Sequence, residues 1–112
     1  MSMERMKELT NTVHCIAAKE LNRANDIWPQ FHSKHEGLGV LSEEVWEMRE
    51  ELKKLDKFLD ELQMAVFNDF DCEKALNGAE RSLAAGLAEG IQAIAMMKKF
   101  RCLLEREVKK NG

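Results

Sequence analysis

Leu41, Val45, Met48, Leu52, Leu55, Leu59 and Leu62 follow one another at alternating steps of four and three residues. That spacing lays one apolar seam along one side of an α-helix. Held over three heptads, it commits the segment to a long helix packed lengthwise on another helix. The seam helix has two possible starts. Ser33-Lys34-His35-Glu36 fits a capping box, in which Ser33 caps the backbone and Glu36 reaches back. Gly37 and Gly39 weaken the turns that follow, so a start near Leu41 is also open. The helix is expected to end near Asn68–Asp71. If it starts at the capping box it has about 34 residues and is on the order of 50 Å long. That is long for a chain of 112 residues.

A first helix precedes it, from about Met3 to Asn25. Met6, Leu9, Val13, Ile16 and Ala17 make its apolar stripe. It must stop before Pro29, because the residue before a proline avoids the α region. The segment Asn25–His32 is the one clear loop. A third helix is expected from about Glu73 to Glu107, with a fraying tail at 109–112. Leu76, Leu83, Leu87, Ile91 and Ile94 form its main face, and Ala85, Met96, Phe100 and Leu103 a second one. A helix apolar on two sides is covered on two sides. Asn77-Gly78 is a place where it could break early. The whole reads as a single all-α domain, a bundle of long antiparallel helices completed by self-association as a dimer or tetramer.

Composition narrows the class further. Hydrophobic residues are 45% and charged residues 33%, enough for both a core and a solvated surface. The net charge of −3 gives no general electrostatic reason to bind nucleic acid. The apolar runs are far shorter than the roughly 20 residues of a membrane span, and the first residues carry no signal segment. These features point to a cytoplasmic protein without a membrane partner. Cys15, Cys72 and Cys102 are odd in number and lack CxxC spacing, so they read as reduced thiols.

Against this background one residue stands out. Glu89 is the only charge in the stretch from Leu83 to Met97. A carboxylate in so apolar a helix needs a partner, because burying an unpaired charge is costly. The acidic cluster Glu43-Glu44-Val45-Trp46-Glu47 is the best partner on offer. Carboxylates come together only with protons or a divalent cation between them, so the two clusters suggest a hard-metal site in a helical bundle. Glu44 borders the seam of helix two, and Glu47, three residues on, aims near the same point. Glu89 and Gln92 have the same spacing and can present an anion and a neutral oxygen ligand to one neighbour. The plain alternatives are a solvated acidic face balanced by Arg49, Lys53 and Lys54, and a Glu89 that pairs with Arg5 or Lys19 or reaches solvent past Gly86 and Gly90. His14, His32 and His35 form no HxxxH or HExxH pattern and read as surface or loop histidines. Trp28, Phe31 and Trp46 could stack on a base, but such residues more often staple a loop onto a bundle.

These residues resemble a known family. His35-Glu36-Gly37 followed by Leu41-Ser42-Glu43-Glu44-Val45-Trp46-Glu47 looks like the first motif of the all-α nucleoside triphosphate pyrophosphatases, the MazG-like group related to the dimeric dUTPases. That group carries Glu-Glu-x-x-Glu on one helix and Glu-x-x-Asp on the next. The segment from Ala88 to Phe100 resembles the second motif, and the loop from Asn22 to Ser33 resembles the lead-in of small bacterial and phage members. The resemblance covers roughly residues 15–105. It implies hydrolysis of a nucleoside triphosphate to a monophosphate and pyrophosphate, as in nucleotide-pool housecleaning. It also implies Mg²⁺ or Mn²⁺ held by Glu44, Glu47 and Glu89, with Glu43 as an outer or water-positioning carboxylate. One position departs from the pattern: the family's aspartate falls on the neutral Gln92, and a site with one charge fewer holds Mg²⁺ less tightly. Lys98, Lys99 and Arg101 are phosphate-binding candidates by charge and proximity to the motif. Two other readings stand beside this one, a catalytically silent binding or scaffold protein on the same fold, and a helical interaction module with no metal.

Overall fold

A computed structural model describes residues 1–27 and 30–111. Three helices account for nearly all of them, α1 (Met3–Ile27), α2 (Lys34–Phe67) and α3 (Glu73–Asn111), and no strand occurs among the described residues. The all-α expectation holds. No helix of the described residues is long and apolar enough to cross a membrane. Trp28 and Pro29, which entered the reading of the loop, lie outside the described residues.

The helix ends follow local chemistry. Ser2 accepts from the Arg5 N–H at 3.1 Å and so caps α1. α2 does open beside Ser33, whose hydroxyl oxygen accepts from the Glu36 N–H at 3.1 Å. Glu36 reaches back to the His32 N–H at 3.2 Å, one residue earlier than in a standard capping box. α2 closes with a Schellman pattern. The Phe70 N–H donates to the Ala65 carbonyl at 2.8 Å and the Asp69 N–H to the Val66 carbonyl at 3.3 Å. Asp69 takes the left-handed conformation this closure needs, at φ 55°. Asp71 then accepts from the Glu73 N–H at 3.0 Å and starts α3. α3 is helical to Asn111, past the expected end near Glu107.

The chain forms two compact units. Unit one holds residues 1–44 and 91–112, and unit two holds residues 45–90. Unit two is a helical hairpin. Positions 78, 86 and 90 of α3 meet Phe58, Leu52 and Met48 of α2, so partners fall along α2 as positions rise along α3, and the helices run antiparallel. A glycine makes each of these meetings. A Cβ at Gly86 would lie 3.2 Å from a Leu52 methyl, and one at Gly90 would lie 3.2 Å from the Met48 sulfur. At Gly78 it would run into the Phe58 ring. α3 therefore runs unbroken through Asn77-Gly78, the place where it could have broken early. Glycine costs a helix about 1 kcal/mol, and here close packing on an aromatic ring offsets that cost.

The same close approach corrects the reading of α3. Its buried side in unit two is Ala75, Gly78, Ala79, Ser82 and Gly86. Leu76, Leu83 and Leu87, expected to form the main face, are 52%, 42% and 62% exposed. Small residues let backbones come together, so they take the inside and the leucines are turned out.

In unit one the core gathers Phe31, Ala95, Met96 and Leu103, with Leu21, Ala24, Val40, Leu41 and Phe100 packed around it. Thus the face of α3 read as secondary is the one that builds this core. Gly37 sits where a Cβ would be 2.7 Å from the Phe100 ring and 3.2 Å from the Phe31 ring. Arg106 pins the loop, donating to the Phe31 carbonyl at 2.8 Å and to the Gln30 side chain. Of the α1 stripe only Ala17 is fully buried, while Met6, Leu9 and Ile16 are exposed.

Candidate metal centre

Two glycines set the centre up. Gly86 and Gly90 flank Glu89 on α3 and bring the α2 side chains Leu52 and Met48 close on either side of it. Glu89 is left half-buried with its carboxylate directed at α2. Within unit two, Glu47 and Glu89 each offer a carboxylate oxygen, and these lie within 4.8 Å of each other. Glu44 stands one turn before Glu47 on the same unbroken helix, with an oxygen inside that same distance of the Glu47 oxygen. All three residues are half-buried.

The electrostatics reflect the crowding. Glu89 has its pKa raised above the ordinary 4.5, first by burial, then by a hydrogen bond with Glu47 and by the charges of Glu47 and Glu51. Lys54 sits 3.1 Å from Glu51 and offsets part of the latter's charge. A hydrogen bond between two carboxyl groups needs a proton on one of them.

The direction of that shift fixes a pH dependence. The folded chain holds the Glu89 proton more tightly than the unfolded chain does. The resulting stabilisation is full below pH 4.5, the ordinary value, and is lost as pH rises through the higher folded value. In a chelating buffer, urea unfolding of the native chain should therefore lose stability across that window relative to Glu89→Gln. Parallel pH profiles for the two proteins would show that Glu89 titrates normally.

The other candidate site residues belong to unit one. Glu43 is exposed on α2, as its place on the helical wheel implies. Gln92 follows Glu89 by one turn of α3 and is engaged within unit one, where its amide nitrogen donates to Glu20 at 2.8 Å. Glu20, on α1, was not identified from sequence. Glu20 lies three residues after the buried Ala17 and beside the half-buried Leu21, but its partner is on another helix, which the sequence does not show. Its carboxylate stands next to the neutral Gln92, where the family pattern has a charge. Arg5, one imagined partner for Glu89, pairs with Glu8 at 2.7 Å. Lys98 is half-buried and Arg101 exposed, whereas Lys99 is only 4% exposed, with its ammonium 4.9 Å from the centre of the Phe31 ring. The three histidines are exposed, as is Trp46, while Phe31 is buried in the core of unit one.

The donor set decides which ion would suit. Among the described residues the metal-capable group consists of carboxylates alone, with no histidine or cysteine. All-oxygen, carboxylate-rich donors suit hard cations such as Mg²⁺ and Mn²⁺ rather than zinc.

Compared with known proteins, the chain matches no family model, and no curated protein or solved structure matches it at a significant level. The likeness to the MazG-like group rests on the motif residues alone.

Proposed function

We propose that the chain is a MazG-like, divalent-cation-dependent nucleoside triphosphate pyrophosphohydrolase, releasing a monophosphate and pyrophosphate. The observation that supports this most is the pairing of Glu47 on α2 with Glu89 on α3, with Glu44 one turn away. The acidic motifs come from segments 42 residues apart, from Glu47 to Glu89, and a merely solvated acidic face has no reason to pair them. In this reading Glu44, Glu47 and Glu89 hold Mg²⁺ or Mn²⁺, and Gln92, whose amide nitrogen donates to Glu20, offers a neutral oxygen ligand. The cation, when bound, supplies neutralising charge for phosphoryl oxygens and lowers the pKa of water. Glu43, exposed and adjacent, orients the attacking water. Lys98 and Arg101 are better placed than the buried Lys99 to meet substrate phosphates.

Self-association belongs to the same proposal. In unit two the exposed Leu76, Leu83 and Leu87 make an apolar side for a second copy to cover. Light scattering at micromolar concentration should read a dimer or tetramer, and a clean monomer would contradict this. The activity is tested by pyrophosphate release from a panel of nucleoside triphosphates with Mg²⁺ or Mn²⁺, against the same panel in chelator. Release with no nucleotide in the panel would leave a silent binding protein on this fold. The neutral Gln92 is the feature that favours that second reading.

A further inference from the structure

Unit one contains a cavity of about 280 Å³ that none of the carboxylates of the metal centre lines. Its wall is made by Asn25, Gln30, Lys99, Cys102, Glu105, Arg106 and Lys109. Three of these side chains are cationic and one is anionic. Lys99 is 96% buried (4% exposed), which is unusual for a lysine. Burial lowers its pKa, and the charge of Glu36 acts in the opposite direction. Asn25 adds a further sign: its Oδ1 is buried and has no hydrogen-bond partner. Buried polar atoms are nearly always satisfied, so one left open beside a cationic cavity asks for a donor.

We infer that this cavity is a binding site for the phosphate group of a small phosphomonoester. Lys99, Arg106 and Lys109 supply the positive charge. Arg106 is already oriented by Gln30 and the Phe31 carbonyl, and an arginine has five N–H donors, so others remain for a ligand. Asn25 Oδ1 accepts from the P–OH group of the monoester monoanion, the form populated around and below its second pKa of about 6. The volume sits just under the roughly 300–1,000 Å³ of pockets that enclose a drug-sized ligand. It therefore has room for a small phosphomonoester as a whole. This inference does not rest on the cation-dependent activity, because the two sites share no residue.

The test uses the full chain in EDTA at pH 6.5 and constant ionic strength. Inorganic phosphate and ribose 5-phosphate are titrated while the melting temperature and amide chemical shifts are followed. Both probes should raise the melting temperature saturably, with the largest shifts at Asn25, Lys99 and Arg106. Sulfate, fully ionised and without an O–H donor, should bind more weakly. Lys109→Ala, on the exposed rim, should weaken phosphate binding about tenfold, as expected for losing one charge-assisted hydrogen bond. Asn25→Asp puts a negative charge in the same space and should abolish binding. If chloride matches phosphate, or if neither variant alters the response, the cavity is not an anion site.

Discussion

Glu47→Gln should lower pyrophosphate release by about a hundredfold or more, roughly 3 kcal/mol of transition-state stabilisation. The substitution keeps shape and removes charge, so it isolates the electrostatic part of the centre. Glu47 is the residue through which the others meet. Its carboxylate oxygen lies within 4.8 Å of that of Glu89 across the hairpin, and Glu44 lies one turn behind it. Glu89→Gln should fall similarly, while Glu43→Gln, at an exposed position, should lose less. Glu61→Gln, on the exposed part of α2, should leave turnover unchanged and serves as the control. Turnover in Glu47→Gln at the native rate would separate the acidic cluster from the chemistry. Raising Mg²⁺ should restore part of the lost rate if the deficit lies in holding the cation.

The second large effect concerns the hairpin that brings Glu47 and Glu89 together. Gly78→Ala should destabilise the chain by about 1–2 kcal/mol, the balance of overpacking against a better helix former. A Cβ at this position has no room beside the Phe58 ring. Gly39→Ala is the matched opposite. No atom lies within 4 Å of its Cβ position, so the helix gain of up to about 1 kcal/mol should appear in full. Space alone reverses the sign between two helical glycines. Phe58→Ala should rescue part of the Gly78→Ala loss in a double-mutant cycle. Urea unfolding measures the native chain and the four variants, and equal stabilisation by the alanines at 78 and 39 would mean that the Phe58 ring moves aside freely.

These two sites also mark what the sequence made legible. The seam from Leu41 to Leu62 announced α2, and Ser33 with Glu36 announced its start, because both signals are local and periodic. Glu89 could be paired with Glu47 on paper because it is a lone acid among apolar neighbours and Glu47 belongs to an acidic cluster at helical spacing. The inner side of α3 was misread because leucines outweigh alanines in any count of hydrophobicity. Packing distance favours Gly78, Ala79, Ser82 and Gly86, whose helical spacing carries little weight in a reading by hydrophobicity. Gly78 looked like a break for the same reason, since its partner Phe58 is 20 positions away in the chain. Glu20, Asn25 and Arg106 each act through a partner on another segment, and a single sequence does not show which segments meet.

The most direct test of the central claim is the melting temperature of the full chain as Mg²⁺ is titrated from a chelated start. A ligand that binds only the folded chain at ten times its dissociation constant adds about 1.4 kcal/mol, on the order of 5 °C for a domain of this size. The native chain should show that rise, Gln92→Asp a larger one at lower Mg²⁺, and Glu89→Gln none. If the melting temperatures of the native chain and Gln92→Asp both ignore Mg²⁺ and Mn²⁺, the carboxylates hold no cation. The chain is then a helical interaction module.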